Sequence, residues 1–152
     1  MQGEGAGLYT LKIGGDNTNS TFSGVISGAN GATSVSVTKV GTGTLTLSGT
    51  NTYTGTTAVN LGTLELSGGS AIADTGAVSI ANVAGATLKL NASETIGSLA
   101  GGGTTGGTVN LQGFTLTTGD ATDTAFAGVI SGTGGALTKA GTGTFTISGD
   151  NT

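Results

Sequence analysis

Asp120 and Asp123 are the only two acidic residues within three positions of each other in this chain. Paired carboxylates can act as general acid and base on a glycoside, or can share a cation. Residues i and i+3 of an extended strand point to opposite faces, so a common site would need a turn between these two. Aspartate favours turns for its own reasons, and the pair reads first as a solvated turn. The one metal reading that Asp120 and Asp123 allow is a single weak Ca²⁺ site. The chain has no histidine and no cysteine, which removes the Ser-His and Cys-His nucleophile pairs and any thiolate metal site. A Ser-Lys pair would have to use one of four lysines, Lys12, Lys39, Lys89 or Lys139. Lys39 and Lys139 stand at matching positions of a repeat, which suits a structural, solubility or edge-gatekeeping role. Gly14-Gly15-Asp16 and Gly101-Gly102-Gly103 lack the Gly-Lys-Ser/Thr ending of a phosphate loop and the spacing of a calcium nonapeptide. The expectation is therefore no catalytic residue, no cofactor-binding residue and no metal ligand.

The rest of the composition narrows the class. Four lysines and no arginine, against eight acids, give a net charge of −4. That is no footprint for nucleic acid, nor a polybasic membrane anchor. The opening Met1-Gln2-Gly3-Glu4-Gly5 lacks the charged and apolar regions of an export signal. With 32 glycines and no proline among 152 residues, the chain could be a flexible spacer. Strict alternation of its apolar residues argues otherwise.

The clearest unit is Gly43-Thr44-Leu45-Thr46-Leu47-Ser48-Gly49. Leu45 and Leu47 share one face of a strand, the threonines share the other, and the glycines permit sharp turns. Related units begin at Thr10, Thr63, Thr87, Thr108 and Thr144; from Thr44 the steps to Thr63, Thr87 and Thr108 are 19, 24 and 21 residues. Phe22–Ile26 and Phe126–Ile130 are further strand candidates. Leu45, Leu47, Leu64 and Leu66 should face inward, with Val25, Ile26 or both. Ala73–Ala92 fits period 2 better than 3.6, so no helix is expected there.

A longer repeat overlies the short one. Phe22–Gly28 returns as Phe126–Gly132, an offset of 104, and Lys39–Gly49 returns as Lys139–Gly149, an offset of 100. The four-residue difference lies between Ser27 and Lys39. Phe22 and Phe126 occupy equivalent places, which suggests core packing. Short strands recurring at this interval point to a solenoid, whose coils bury their apolar faces only against neighbours. Thr42, Thr44 and Thr46, with Thr50, Thr52, Thr54 and Thr56, form a Thr-x-Thr pattern that could contact ice or glycans. Threonine is also what an exposed strand face prefers.

Phe22–Gly28, Lys39–Gly49, Asn51-Thr-Tyr-Thr-Gly55, Thr57, Val59 and Gly62-Thr-Leu64 closely resemble the autotransporter-associated β-strand repeat, also called the passenger-associated transport repeat. Glu94–Leu99 and Gly107–Leu111 are similar to the segments that link such repeats. The resemblance implies a right-handed parallel β-helix in the passenger of a type V secreted protein. It implies transit through an outer-membrane β-barrel translocator, with folding outside the cell assisting export. Stalk and adhesion roles at the cell surface follow from the same likeness.

The expected fold is thus all-β, a right-handed parallel β-solenoid of about seven coils. The expected domain is single, 1–152, made of one full repeat over 8–112 and a partial copy over 113–152. The expected function is an extracellular structural scaffold or stalk rather than an enzyme, with no nucleic acid and no small-molecule substrate. Without a barrel or signal in view, the chain reads as a fragment, or as a subunit of a self-assembling β-solenoid filament with end-to-end contacts. A glycan- or ice-binding solenoid is the third reading.

Overall fold

The structure is a computed structural model that describes residues 7–28 and 34–152. The chain winds through three-sided coils. The first coil holds β1 (Leu8–Ile13) and β2 (Ser20–Phe22), the second β3 (Ser34–Lys39) and β4 (Thr44–Leu47), and the third β5 (Thr57–Val59) and β6 (Thr63–Leu66). The fourth holds β7 (Ala77–Ile80), β8 (Thr87–Leu90) and β9 (Glu94–Ile96), and the fifth β10 (Ser98–Gly101), β11 (Thr108–Asn110) and β12 (Thr115–Thr118). The sixth holds β13 (Thr124–Phe126), β14 (Val129–Ser131) and β15 (Ala136–Lys139), and β16 (Phe145–Ile147) opens a seventh. Against the expected seven coils, the described residues make about six turns and one further strand.

Among the described residues every strand pairing is parallel, in sheets of seven, six and three strands. The described residues contain no helix. Alternation explains the stacking. In the second sheet Leu45, Leu64, Leu88, Val109 and Ile130 fall in one register column, and all five are buried. Leu47, Leu66 and Leu90 make the adjoining column, with none of them measurably exposed. Each such side chain contributes about 1.5–3 kcal/mol when removed from water, but only because coils above and below cover it. Ala77–Ile80 and Thr87–Leu90 are strands, as period 2 requires.

Ile26 is buried and Val25 is exposed, so Ile26 alone faces inward. Phe22–Ile26 and Phe126–Ile130 prove to be corners rather than continuous strands. A strand ends at each phenylalanine, and β14 starts on a new side at Val129. The glycine two residues after each phenylalanine lies under its ring, and a Cβ on Gly128 would also run into the Gly107 carbonyl of the coil below. Phe126 is fully buried, whereas Phe22 is 40% exposed because it lies in the first coil, without a described neighbour beneath it. The extra four residues of the first copy fall partly on residues 29–33, outside the described residues.

The long repeat and the coil have different periods. β2 belongs to the second sheet and its equivalent β13 to the first; β4 and its equivalent β16 are split in the same way. β3 lies in the first sheet and its equivalent β15 in the third. Equivalent segments are thus four turns and two sides apart, and the second copy is rotated by one side of the triangle.

Candidate functional site

The acidic pair lies in the turn between β12 and β13. Asp120 accepts hydrogen bonds from the Thr122 N–H and hydroxyl. Asp123 Oδ1 accepts the Thr144 N–H of the following coil at 2.7 Å. The first copy repeats the arrangement. Asp16 accepts from the Thr18 N–H and hydroxyl, and Asn19 Oδ1 takes the Thr44 N–H at 2.8 Å. The hydroxyl and amide of Thr18 hold the Asp16 carboxyl below its ordinary pKa, and Thr122 does the same for Asp120. An asparagine at the place of Asp123 makes the same bond, so this carboxylate serves as a hydrogen-bond acceptor rather than as an acid. The expected outcome of Asp123→Asn is an unchanged unfolding midpoint, while Asp123→Ala loses about 0.5–1.5 kcal/mol in chemical denaturation.

Lys39 is not an edge gatekeeper. Its side chain is wholly buried, and Nζ donates to the carbonyls of Val40 at 2.7 Å, Gly41 at 2.8 Å and Leu61 at 3.1 Å. Burial pushes its pKa down, against a smaller opposing pull from Asp16. Lys139 donates to the matching carbonyls of Ala140 and Gly141 but is exposed. Gly41, at φ 69°, turns its carbonyl toward this ammonium, in a conformation that favours glycine.

Three further polar groups inside the stack were not visible as candidates. Asn51 is 3% exposed; its Oδ1 accepts the Ile26 N–H at 2.7 Å, and its Nδ2 donates to the Ala71 carbonyl at 2.8 Å. It therefore links three successive coils. Tyr53 is fully buried and shares a hydrogen bond of 2.7 Å with the Thr57 hydroxyl; burial raises its pKa to about 12. Glu94 Oε1 accepts the Ile72 N–H at 2.8 Å. One signal for Asn51 was present: Asn151 recurs 100 residues on and takes the Ile130 N–H at 2.7 Å. For Glu94 the signal was its alternation with the inward-facing Ile96.

Outside the core, the chemistry is that of a strand surface. Lys89 and Glu65 form an ion pair of 2.9 Å across β6 and β8, and Asn91 Nδ2 donates to Glu65 Oε1 at 2.7 Å. The threonine array runs across the coils rather than along the chain. Thr44, Thr63, Thr87 and Thr108 are consecutive register partners on the outer face of the second sheet. A cleft at one end of the stack is lined by Asn110, Gln112, Ser131 and Thr133, none of which titrates near neutral pH. Among the described residues, no three potential metal ligands converge. Among the described residues, these buried polar groups hold neighbouring coils together.

The family described as the passenger-associated transport repeat matches residues 37–66 and again 137–152. A relative, the BmaC autotransporter adhesin of Brucella suis biovar 1 (strain 1330), is 41% identical over 135 residues. The match takes in 87% of this chain and 4% of that adhesin, so the chain corresponds to a small part of its relative's length. No solved structure matches the chain.

Proposed function

The chain carries passenger-associated transport repeats, and from that premise we propose that it is a length of shaft in a bacterial surface passenger. Its place is extracellular, at the cell surface. As a shaft it extends the regions beyond it away from the cell, and its role is structural, without catalysis. The observation that carries this reading is the unbroken inward column Leu45, Leu64, Leu88, Val109 and Ile130. It makes each coil depend on the next and leaves the outer faces to small polar side chains. Export fits the same physics. Coils that bury their faces only on earlier coils fold one after another as they emerge, and each folded coil opposes backsliding through an outer-membrane β-barrel translocator. The absence of cysteine means that no disulfide can cross-link the unfolded chain on its way. The domain is proposed to be one unit over 1–152, with a full repeat over 8–112 and a partial one over 113–152.

The test is display of this segment joined to an outer-membrane β-barrel translocator, with protease accessibility as the readout. The native segment is expected at the surface and protease-resistant. A variant unable to close its second coil, Leu47→Asp, is expected to reach the surface at a several-fold lower level. Equal surface levels would remove the export half of the proposal and leave the scaffold.

A further inference from the structure

At three places in the stack, a side chain takes the backbone N–H of an isoleucine one coil below. Asn51 takes Ile26, Glu94 takes Ile72 and Asn151 takes Ile130. The two asparagines do this with a neutral amide, which also donates: Asn51 to Ala71 and Gly49, and Asn151 to Gly149. A carboxylate can only accept. At Glu94, the second oxygen, Oε2, is buried without a hydrogen-bond partner, and the residue is 3% exposed.

Among the described residues no cationic side chain acts on Glu94; only the Ile72 and Ala71 amides favour its charged form. The titratable group that acts on it is Asp74, from the segment before β7, and Glu94 in turn raises the pKa of Tyr53, from the segment after β4. β12 covers it from the next coil with Leu116 in register opposite, while Thr118 of that strand lies opposite Ile96. An ionised carboxyl here would be an uncompensated buried charge. A neutral one keeps the bond to Ile72 and leaves no charge to desolvate.

We infer that Glu94 makes the middle of the solenoid a proton-linked latch: the fourth coil closes on the third around the neutral acid and is held less tightly once the proton leaves. Burial, the largest influence, raises the Glu94 pKa against the lowering effect of the Ile72 and Ala71 amides. Folding therefore takes up a proton. Because the folded pKa lies above the unfolded one, the stabilising contribution is full below the ordinary carboxylate range. It is lost as pH rises through the raised value. Asp16 and Asp120, with lowered pKa values, act in the opposite sense and at lower pH. The latch rests on the fold alone, and stands or falls separately from the shaft proposal.

The test uses the intact chain, with amide hydrogen exchange at Ile72 compared with Ile26, whose partner Asn51 does not titrate. Between about pH 4 and about pH 8, the protection of Ile72 relative to Ile26 is expected to fall about tenfold for each unit by which the pKa is raised. In Glu94→Gln, which keeps the shape and supplies a permanent donor, the ratio is expected to stay constant. Its thermal midpoint at about pH 8 should equal or exceed that of the native chain. A native ratio that ignores pH, or a Glu94→Gln chain with the native pH dependence, overturns the latch. If Glu94→Gln does not fold, carboxyl ¹³C titration of Glu94 in the native chain decides. A midpoint above the ordinary carboxylate range supports the latch, and an ordinary midpoint refutes it.

Discussion

Leu47→Asp is expected to lower the unfolding free energy by about 4–5 kcal/mol, the upper range for single substitutions. Leu47 has no measurable exposure and lies in register between Phe22 below and Leu66 above. Loss of the leucine removes about 1.5–3 kcal/mol of burial, and the carboxylate that replaces it finds no cation in the column. Domains of this size are stable by only about 5–15 kcal/mol. The variant should therefore lose its β circular dichroism at far lower denaturant than the native chain. An unchanged midpoint would show that the Leu47 column is not the core.

Asn51→Leu is expected to cost about 2–4 kcal/mol, because it strands two buried backbone groups at about 1–3 kcal/mol each. These are the Ile26 N–H and the Ala71 carbonyl. The control is built into the repeat. Asn151→Leu removes the same bond to Ile130, but Asn151 is exposed and water replaces its partner, so the expected loss is under about 1 kcal/mol. Denaturation midpoints of the two variants, measured side by side, decide the matter. Equal losses would mean that Asn51 is not the link between coils.

Much of this was legible in the residues. Alternation in Thr44–Ser48 and its relatives identified strands with one buried face, and the four leucines it named, Leu45, Leu47, Leu64 and Leu66, are all buried. The corners were harder. Phe22–Ile26 and Phe126–Ile130 look like strands because apolar residues surround a single glycine. At Gly128 the space for a side chain is closed by the Gly107 carbonyl, contributed by a residue far along the chain. The expected count of about seven coils compares with about six turns and a further strand among the described residues. Lys39, Asn51 and Glu94 were hidden for a common reason. Their roles depend on carbonyls and amides in adjacent coils, and residue type alone favours the surface for all three. The acidic pair was read correctly as a turn, although Asp123 also reaches the next coil.

The rotation between repeat copies sets a screw rule for longer arrays of the same spacing. One copy advances four turns and two sides, so any side chain written once per copy moves to a new side of the shaft each time. Only the third successor returns to the original side, about fourteen turns further on, or roughly 67 Å at the usual strand spacing. A surface built in this way has no front and no back. Features shared by all copies are distributed evenly around the axis, so a partner approaching from any direction meets the same set within three copies. Directional recognition must then come from what differs between copies, and uniform repeats give a shaft that looks alike from every side.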